Sequence, residues 1–377
     1  MKFGYFSRRS LLSPFPKPLD WLVVVHAAGG HSRADNICRQ NISTNTTDEP
    51  AIPKKFFDTA SYNTIAEWLK NKPETDQWYL AVTASNCSCE DDDSRNLNHR
   101  DALISELRAI QPDAQFTVLT NNDIPIIPNV DFPDKVGIDR LLDACAAAWF
   151  YKSESPNITE NTILVVDAGS AITIDEVKMI NTNSDSAKEL ENINTTSPKK
   201  VLEIDRVFSD SSCREMFFVS FEGGAILAGL SAAADGLHRI AGKLPVIDFT
   251  LRKRERGGLE EHFDRPIYPA KNTEDAIMSG LLGGLIGAVN FFSDKVVAKI
   301  TDKAAGGYAG ENLHDAKSTS TIPIIITGGD AAIFEQYFKR EFPLRYLISV
   351  PYLTLSGIAV TAFLQDDKDF SQEVKGR

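Results

Sequence analysis

Leu164-Val165-Val166-Asp167-Ala168-Gly169-Ser170-Ala171-Ile172-Thr173-Ile174-Asp175 is the stretch that decides the fold class of this chain. A β-branched and aliphatic run ends in an acid, small residues make a turn, and a second β-branched run leaves it. That pattern reads as a hairpin inside a buried sheet. A strand that delivers an acid at its carboxyl end, followed by a glycine through which backbone can approach closely, is how open α/β sheets present a carboxylate and bare amides to phosphate. Asp167 can hold a cation that offsets phosphate charge, and Ser170 can donate its hydroxyl. The bland reading is a plain hairpin with an Asp-Gly type turn.

Outward from this hairpin, strands and helices alternate. Trp21 to Val25 and Trp78 to Val82 read as strands with a helical pattern from Thr64 to Lys72 between them, followed by a helix at Asp101 to Ile110 and a strand at Phe116 to Leu119. From Arg140 to Lys152, Leu141, Leu142, Ala144, Cys145, Ala148 and Trp149 have the spacing of a buried helix face. Val201 to Phe221 adds strands to the hairpin's sheet, Ile322 to Ile326 is a strand closing on Thr327-Gly328-Gly329-Asp330, and Tyr352 to Phe363 is a closing helix. The expected class is therefore α/β. Polar stretches at Asn181 to Lys200 and Asp302 to Ser320 read as inserted surface loops.

Length and composition bound the function. With 377 residues, 42% of them hydrophobic and 24% charged, the chain can bury two ordinary cores, and the expected domains are 1–150 and 151–377. A net charge of −12 without a basic stripe argues against nucleic acid and anionic membrane as partners. The five cysteines lack zinc-type spacing and read as reduced thiols. Ser7-Arg8-Arg9-Ser10-Leu11-Leu12 has the look of an export signature, but Pro14, Pro16, Lys17, Pro18 and Asp20 interrupt the apolar segment such a signal needs. A cytoplasmic location is expected.

Four further motifs bear on the chemistry. Gly137-Ile138-Asp139-Arg140 can pair a base with an anion-binding guanidinium, although an Asp there can also simply cap the helix that follows. Gly223-Gly224-Ala225-Ile226 and Gly280-Leu281-Leu282-Gly283-Gly284-Leu285-Ile286-Gly287 set glycines on apolar backgrounds, which suits close packing or close approach of backbone to a ligand, with packing favoured for the second. Thr327-Gly328-Gly329-Asp330 follows a strand in the way that actin-like ATPases place glycines beside the adenosine.

Taken in order with Asn272-Thr273-Glu274-Asp275-Ala276-Ile277, these motifs resemble type III pantothenate kinase from about Phe132 onward. The resemblance implies an actin-like, acetate-and-sugar-kinase fold of two ribonuclease H-like domains, working as a homodimer. It implies transfer of phosphate from ATP to pantothenate, the first step of coenzyme A synthesis, with Mg²⁺ and a monovalent cation, K⁺ or NH₄⁺. Carried over by position, Asp139 matches the general base, and Gly137, Ile138 and Arg140 the pantothenate segment with it. Asp167 matches the monovalent-cation ligand, Gly169 and Ser170 the ATP-contacting turn, and Thr273 a substrate-contacting threonine.

The chain departs from that pattern in its first strand. Where the family has an acid, Val23-Val24-Val25 is followed by His26-Ala27-Ala28-Gly29-Gly30. Imidazole is a poor ligand for Mg²⁺, which prefers carboxylate and water oxygens. A second reading follows, a weak or inactive relative that binds nucleotide or pantothenate as a regulatory accessory factor. His26→Asp is expected to raise pantothenate phosphorylation in a coupled ADP-release assay, and an unchanged rate would mean that the first strand is misaligned.

Overall fold

A computed structural model describes residues 2–5, 20–23, 59–70, 77–81, 103–154, 161–182, 202–208, 211–247, 268–304 and 322–375. The His26 to Gly30 segment, Cys38, Cys87, Cys89 and most of both polar insertions lie outside them. The chain divides into two compact units, Met1–Thr120 with Ile358–Arg377, and Asn121–Gly357.

In the first unit, β1 (Lys2–Tyr5) pairs antiparallel with β2 (Asp20–Val23). α1 (Thr59–Lys70) begins earlier than the apolar spacing from Thr64 indicates, and β3 (Gln77–Leu80), α2 (103–110) and β4 (Gln115–Val118) follow it. β3 and β4 are parallel, which demands a crossover rather than a hairpin between them. Ile65 and Leu69 of α1 and Leu103 and Leu107 of α2 form the core, with Trp78 and Phe116 stacked at 6.0 Å beside it.

The second unit holds β5 (Ile127–Pro128), α3 (Ile138–Glu154), β6 (Thr162–Ala168), β7 (Ala171–Asn181), β8 (Leu202–Phe208), β9 (Ser211–Ala228), α4 (Leu230–Ile240), α5 (Thr273–Ala304), β10 (Ile324–Thr327), α6 (Ala331–Glu341) and β11 (Leu347–Ser349); α7 (Leu353–Lys375) follows. Its sheet runs β11-β10-β6-β7-β9-β5, with β8 also paired to β9. β11, β10 and β6 are parallel, while β7 is antiparallel to both β6 and β9. The architecture is mixed α/β.

Strand alternation gives this sheet two buried faces. Leu164, Val166, Ala168, Ile172 and Ile174 point to one, where Leu230 of α4, Leu282 and Ile286 of α5, and Phe334 and Phe338 of α6 cover them. α5 is long and apolar enough to cross a membrane by length and composition alone. Here its Met278, Leu282, Leu285 and Val289 pack into this core. A Cβ added at its glycines 280, 283, 284 and 287 would meet nothing within 4 Å among the described residues. Val165, Asp167, Thr173, Asp175, Val177, Val219 and Phe221 belong to the other face, which α3 covers. Arg140 at the start of α3 bonds Asp175, and Lys152 near its end lies 5.9 Å from the Phe217 ring and 3.4 Å from Asn161. α3 therefore runs antiparallel to β6, with its N-terminus at the carboxyl end of that strand.

One irregularity in β9 keeps this face in register. Asp175 pairs with Gly224 but Val177 pairs with Phe221, so β9 carries one extra residue there. Gly223 absorbs it at φ +80, a conformation other residues rarely adopt. Next to the bulge, Glu222 accepts bonds from Ser220 Oγ (2.7 Å) and Asn129 Nδ2 (3.0 Å) and pairs with Lys178 (2.9 Å). Burial pushes the Glu222 carboxyl up, but these three partners outweigh it and hold the group below its ordinary 4.5. Stability from a lowered carboxyl is present above 4.5 and is lost as pH falls through the lowered value. Glu222→Gln should be about 1 kcal/mol less stable at pH 7, with the gap closing on acidification; a gap that stays constant in urea unfolding across pH would show that charge is not what the network holds.

Candidate functional site

The site is built from the N-terminus of α3 and the carboxyl ends of β6 and β10, all within the second unit. Gly137 sits at the N-cap position of α3, its carbonyl accepting the Arg140 N–H at 3.1 Å and the Leu141 N–H at 3.4 Å. Ile138 is buried and anchors the turn. Asp139 Oδ1 also accepts the Arg140 backbone N–H at 2.9 Å, sharing that first-turn donor with the Gly137 carbonyl. The helix-capping role weighed for this acid is therefore real. Its other oxygen, Oδ2, carries no hydrogen bond among the described residues, and the side chain is half-buried rather than sealed. A Cβ on Gly137 would lie 2.5 Å from Asp139 Oδ1, so glycine is what lets the carboxylate fold back over the helix start.

Arg140 turns the other way. Its Nε donates to Asp175 Oδ2 at 3.1 Å and its Nη2 donates to Asp175 Oδ1, a bidentate pair, while the Phe221 ring lies 5.2 Å beneath the guanidinium. Asp175 is only 2% exposed. Burial pushes its carboxyl above the ordinary 3.8, the pairing with Arg140 and a hydrogen bond from Thr173 pull it back, and the nearby negative charge of Asp139 adds to the rise. Gly224 makes the space: a Cβ there would lie 2.6 Å from Asp175 Oδ1 and collide with the Ile174 carbonyl.

Asp167 ends β6 on the same face as Asp175, two residues further toward the carboxyl end than Val165, the partner of Asp175. Backbone walls surround it. Gly328, at φ +101, presses on the Asp167 carboxylate and the Ala168 carbonyl so closely that no Cβ fits, and the Asp330 N–H donates to Ala168 O at 2.9 Å. On the far side Gly229 N–H donates to Ser170 O at 3.0 Å and starts α4. Gly169 and Ser170 lie at the turn, with Ser170 exposed. The Thr327 side chain, fully buried, stands in the row beside Asp167. Thr273 is the first residue of α5 and is exposed; the residue before it, Asn272, caps the helix by accepting the Asp275 N–H at 2.8 Å.

The structure thus brings Gly137, Ile138, Asp139 and Arg140 to one end of the sheet with Asp167, Gly169 and Ser170. No described hydrogen bond or ion pair joins Thr273 to that group. Asp175, Gly224 and Gly328 complete the site, and of these only Asp175 has no chemical role in the sequence analysis. The contrast between neighbouring glycines is testable. Gly328→Ala should cost about 1–3 kcal/mol through strain at positive φ, whereas Gly329→Ala, with open space around it, should stay within about 0.5 kcal/mol. Equal losses in urea unfolding would mean that Gly328 does not form the wall.

The family model for type III pantothenate kinase matches residues 95–182 and 218–295. Those segments hold Gly137 to Arg140, Asp167 to Asp175, Gly224 and Thr273, and leave out His26 and Thr327 to Asp330. Curated type III pantothenate kinases from Kosmotoga olearia and Rubrobacter xylanophilus are 28% and 26% identical over 232 and 241 residues, covering 62% and 63% of this chain. One from Rhodopirellula baltica is 28% identical over 192 residues, 51% of this chain. The match spans 57%, 61% and 50% of those relatives' own lengths, less than two thirds in each case. A solved Baf family structure from Campylobacter jejuni covers 80% of this chain and 89% of its own at 16% identity with a TM-score of 0.35, too distant to inform the fold. With its Gly-x-Asp-Arg tetrapeptide and its acid turn both inside the matched segments, the chain is similar to the type III pantothenate kinases over those segments.

Proposed function

We propose that this chain transfers the γ-phosphoryl group of ATP to the hydroxyl of pantothenate, giving 4'-phosphopantothenate for coenzyme A synthesis. The observation that carries the reading is that the helix start bearing Asp139 lies over the sheet face that bears Asp167, at the carboxyl end of β6, where α/β sheets take ligands. A base and a phosphate-side acid are what a phosphoryl transfer to an alcohol requires.

Asp139 accepts the proton of the attacking hydroxyl through Oδ2, while its Oδ1 stays tied to the Arg140 N–H and keeps the carboxylate aimed. Arg140 spends two donors on Asp175, and its Nη1 hydrogens, unbonded among the described residues, serve the substrate carboxylate. The exposed turn at Gly169 and Ser170 offers backbone and hydroxyl donors to the nucleotide. The helix start of α4 behind it adds a positive dipole end.

The donor set fits cations that arrive with the nucleotide. Asp167 is a single carboxylate with glycine backbone packed against it, and no group of three or more His, Cys, Asp or Glu side chains suitable for a metal occurs among the described residues. Mg²⁺ commonly takes one or two protein carboxylates and completes its shell with phosphate oxygens and water. Asp167 would hold a K⁺ or NH₄⁺ ion, and the cations together would offset charge on the transferring group.

The strand order β9-β7-β6-β10-β11, with only β7 reversed against β6, supports a ribonuclease H-like reading of the second unit. The family resemblance supports a homodimer, a cytoplasmic location, the assignment of Thr273 to pantothenate, and a paired arrangement of domains 1–150 and 151–377.

Purified protein with ATP, Mg²⁺, K⁺ and pantothenate should yield phosphopantothenate detectable by mass spectrometry. Asp139→Asn should lower turnover by about 10²–10⁴-fold, the usual worth of a positioned base, with ATP binding within a few-fold of wild type. Unchanged turnover would remove Asp139 from the role of base.

A further inference from the structure

We infer that Asp175 is a positioning residue of this site: it holds the Arg140 guanidinium against the sheet, so that Arg140 stands beside Asp139 without pairing with it. The inference rests on the kinase reading above and extends it to a residue that touches neither substrate.

The geometry sets two acids in competition for one cation. Asp139 and Arg140 are neighbours in sequence at the start of the same helix, yet the guanidinium bonds Asp175, thirty-five positions along the chain, while Asp139, among the described residues, takes only the backbone N–H of Arg140. A guanidinium released from Asp175 would have the adjoining Asp139 as an alternative carboxylate partner. A carboxylate so paired accepts a proton poorly, because an opposite charge a few ångströms away favours its ionised form. By occupying Nε and Nη2, Asp175 keeps the guanidinium off Asp139 and leaves Nη1 for an anionic group of the substrate.

The surroundings are built for this pair. Phe221 lies under the guanidinium plane at 5.2 Å, Thr173 supplies a further hydrogen bond to Asp175, and Gly224 leaves the space that the carboxylate fills. The Gly223 bulge is what brings both Phe221 and Gly224 to the face of Asp175. Lysine could not replace the arginine here, since a point charge cannot make the side-on pair and offer a second edge at once.

The test uses the full chain as wild type, Asp175→Asn, Arg140→Lys and the double variant, assayed across pantothenate concentration and pH. Asp175→Asn should lower kcat/KM for pantothenate by about tenfold or more while KM for ATP stays within about twofold. It should also move the acid limb of the kcat/KM profile to lower pH, because the freed guanidinium turns to Asp139. A purely structural role for Asp175 would reduce the active fraction and move neither the limb nor KM. Arg140→Lys keeps the charge on a partly exposed side chain and guards against a misfolded Asp175 variant. It should also lose pantothenate kcat/KM, and the double variant should be no worse than Arg140→Lys alone within about twofold. Unchanged pantothenate kinetics and acid limb in Asp175→Asn, wild-type pantothenate kinetics in Arg140→Lys, or losses that multiply in the double variant would overturn the inference while the kinase reading stands. A wild-type protein that neither binds nor phosphorylates pantothenate would overturn the kinase reading, and this inference with it.

Discussion

The bidentate pair between Arg140 and Asp175 is the constraint on which the second unit's active end depends. It ties the first turn of α3 to the middle of β7 across a face that water scarcely reaches. Taking both charges out of water costs several kcal/mol per ion, and the cost is recovered only when geometry is good and the remaining valences are met. Here the fork geometry, the Thr173 bond and the Phe221 ring meet that condition. Breaking such a pair by deleting one partner costs about 3–5 kcal/mol, because the survivor stays buried and uncompensated. The pair therefore fixes where the helix can start, and through it where Asp139 can stand.

At the other edge of the site the wall is made of backbone. Gly328 and Gly229 approach the β6–β7 turn so closely that side chains are excluded, and each does so next to the start of a helix, α6 and α4. Helix starts carry unpaired N–H groups and a partial positive charge, so two of them flanking one turn favour an anion there. Asp167 puts a negative charge into the same corner. That combination suits a phosphate accompanied by its cation better than either ion alone.

Much of this was legible in the sequence, and the failures have physical causes. The β6–β7 hairpin could be read from its β-branched runs because local propensity and burial agree there. Gly137 to Arg140 could be placed at a helix start because the apolar spacing of α3 begins beside it. Asp175 was silent: one acid in a strand reads as a residue facing solvent, and nothing local shows that an arginine thirty-five positions earlier will neutralise it. Gly223 and Gly224 read as a packing or ligand motif, and only the register against β7 reveals a bulge. In α5 the side chains that reach the core are Met278, Leu282 and Leu285, while a Cβ added at its glycines would meet nothing among the described residues.

The two acids beside Arg140 show how environment divides labour between like groups. A carboxyl whose pKa is raised by burial is the usual signature of an acid–base catalyst, and by that criterion Asp175 would be chosen over Asp139. Geometry reverses the choice. Asp175 is sealed and has both oxygens committed to the guanidinium, so no substrate hydroxyl can reach it. Asp139 keeps one oxygen unbonded among the described residues, at a half-buried position on the helix start. Reach to the proton comes before basicity in selecting a base, and the buried acid's perturbation then has its own meaning. It is the cost of burying a carboxylate, only partly offset by the arginine that the carboxylate holds in place.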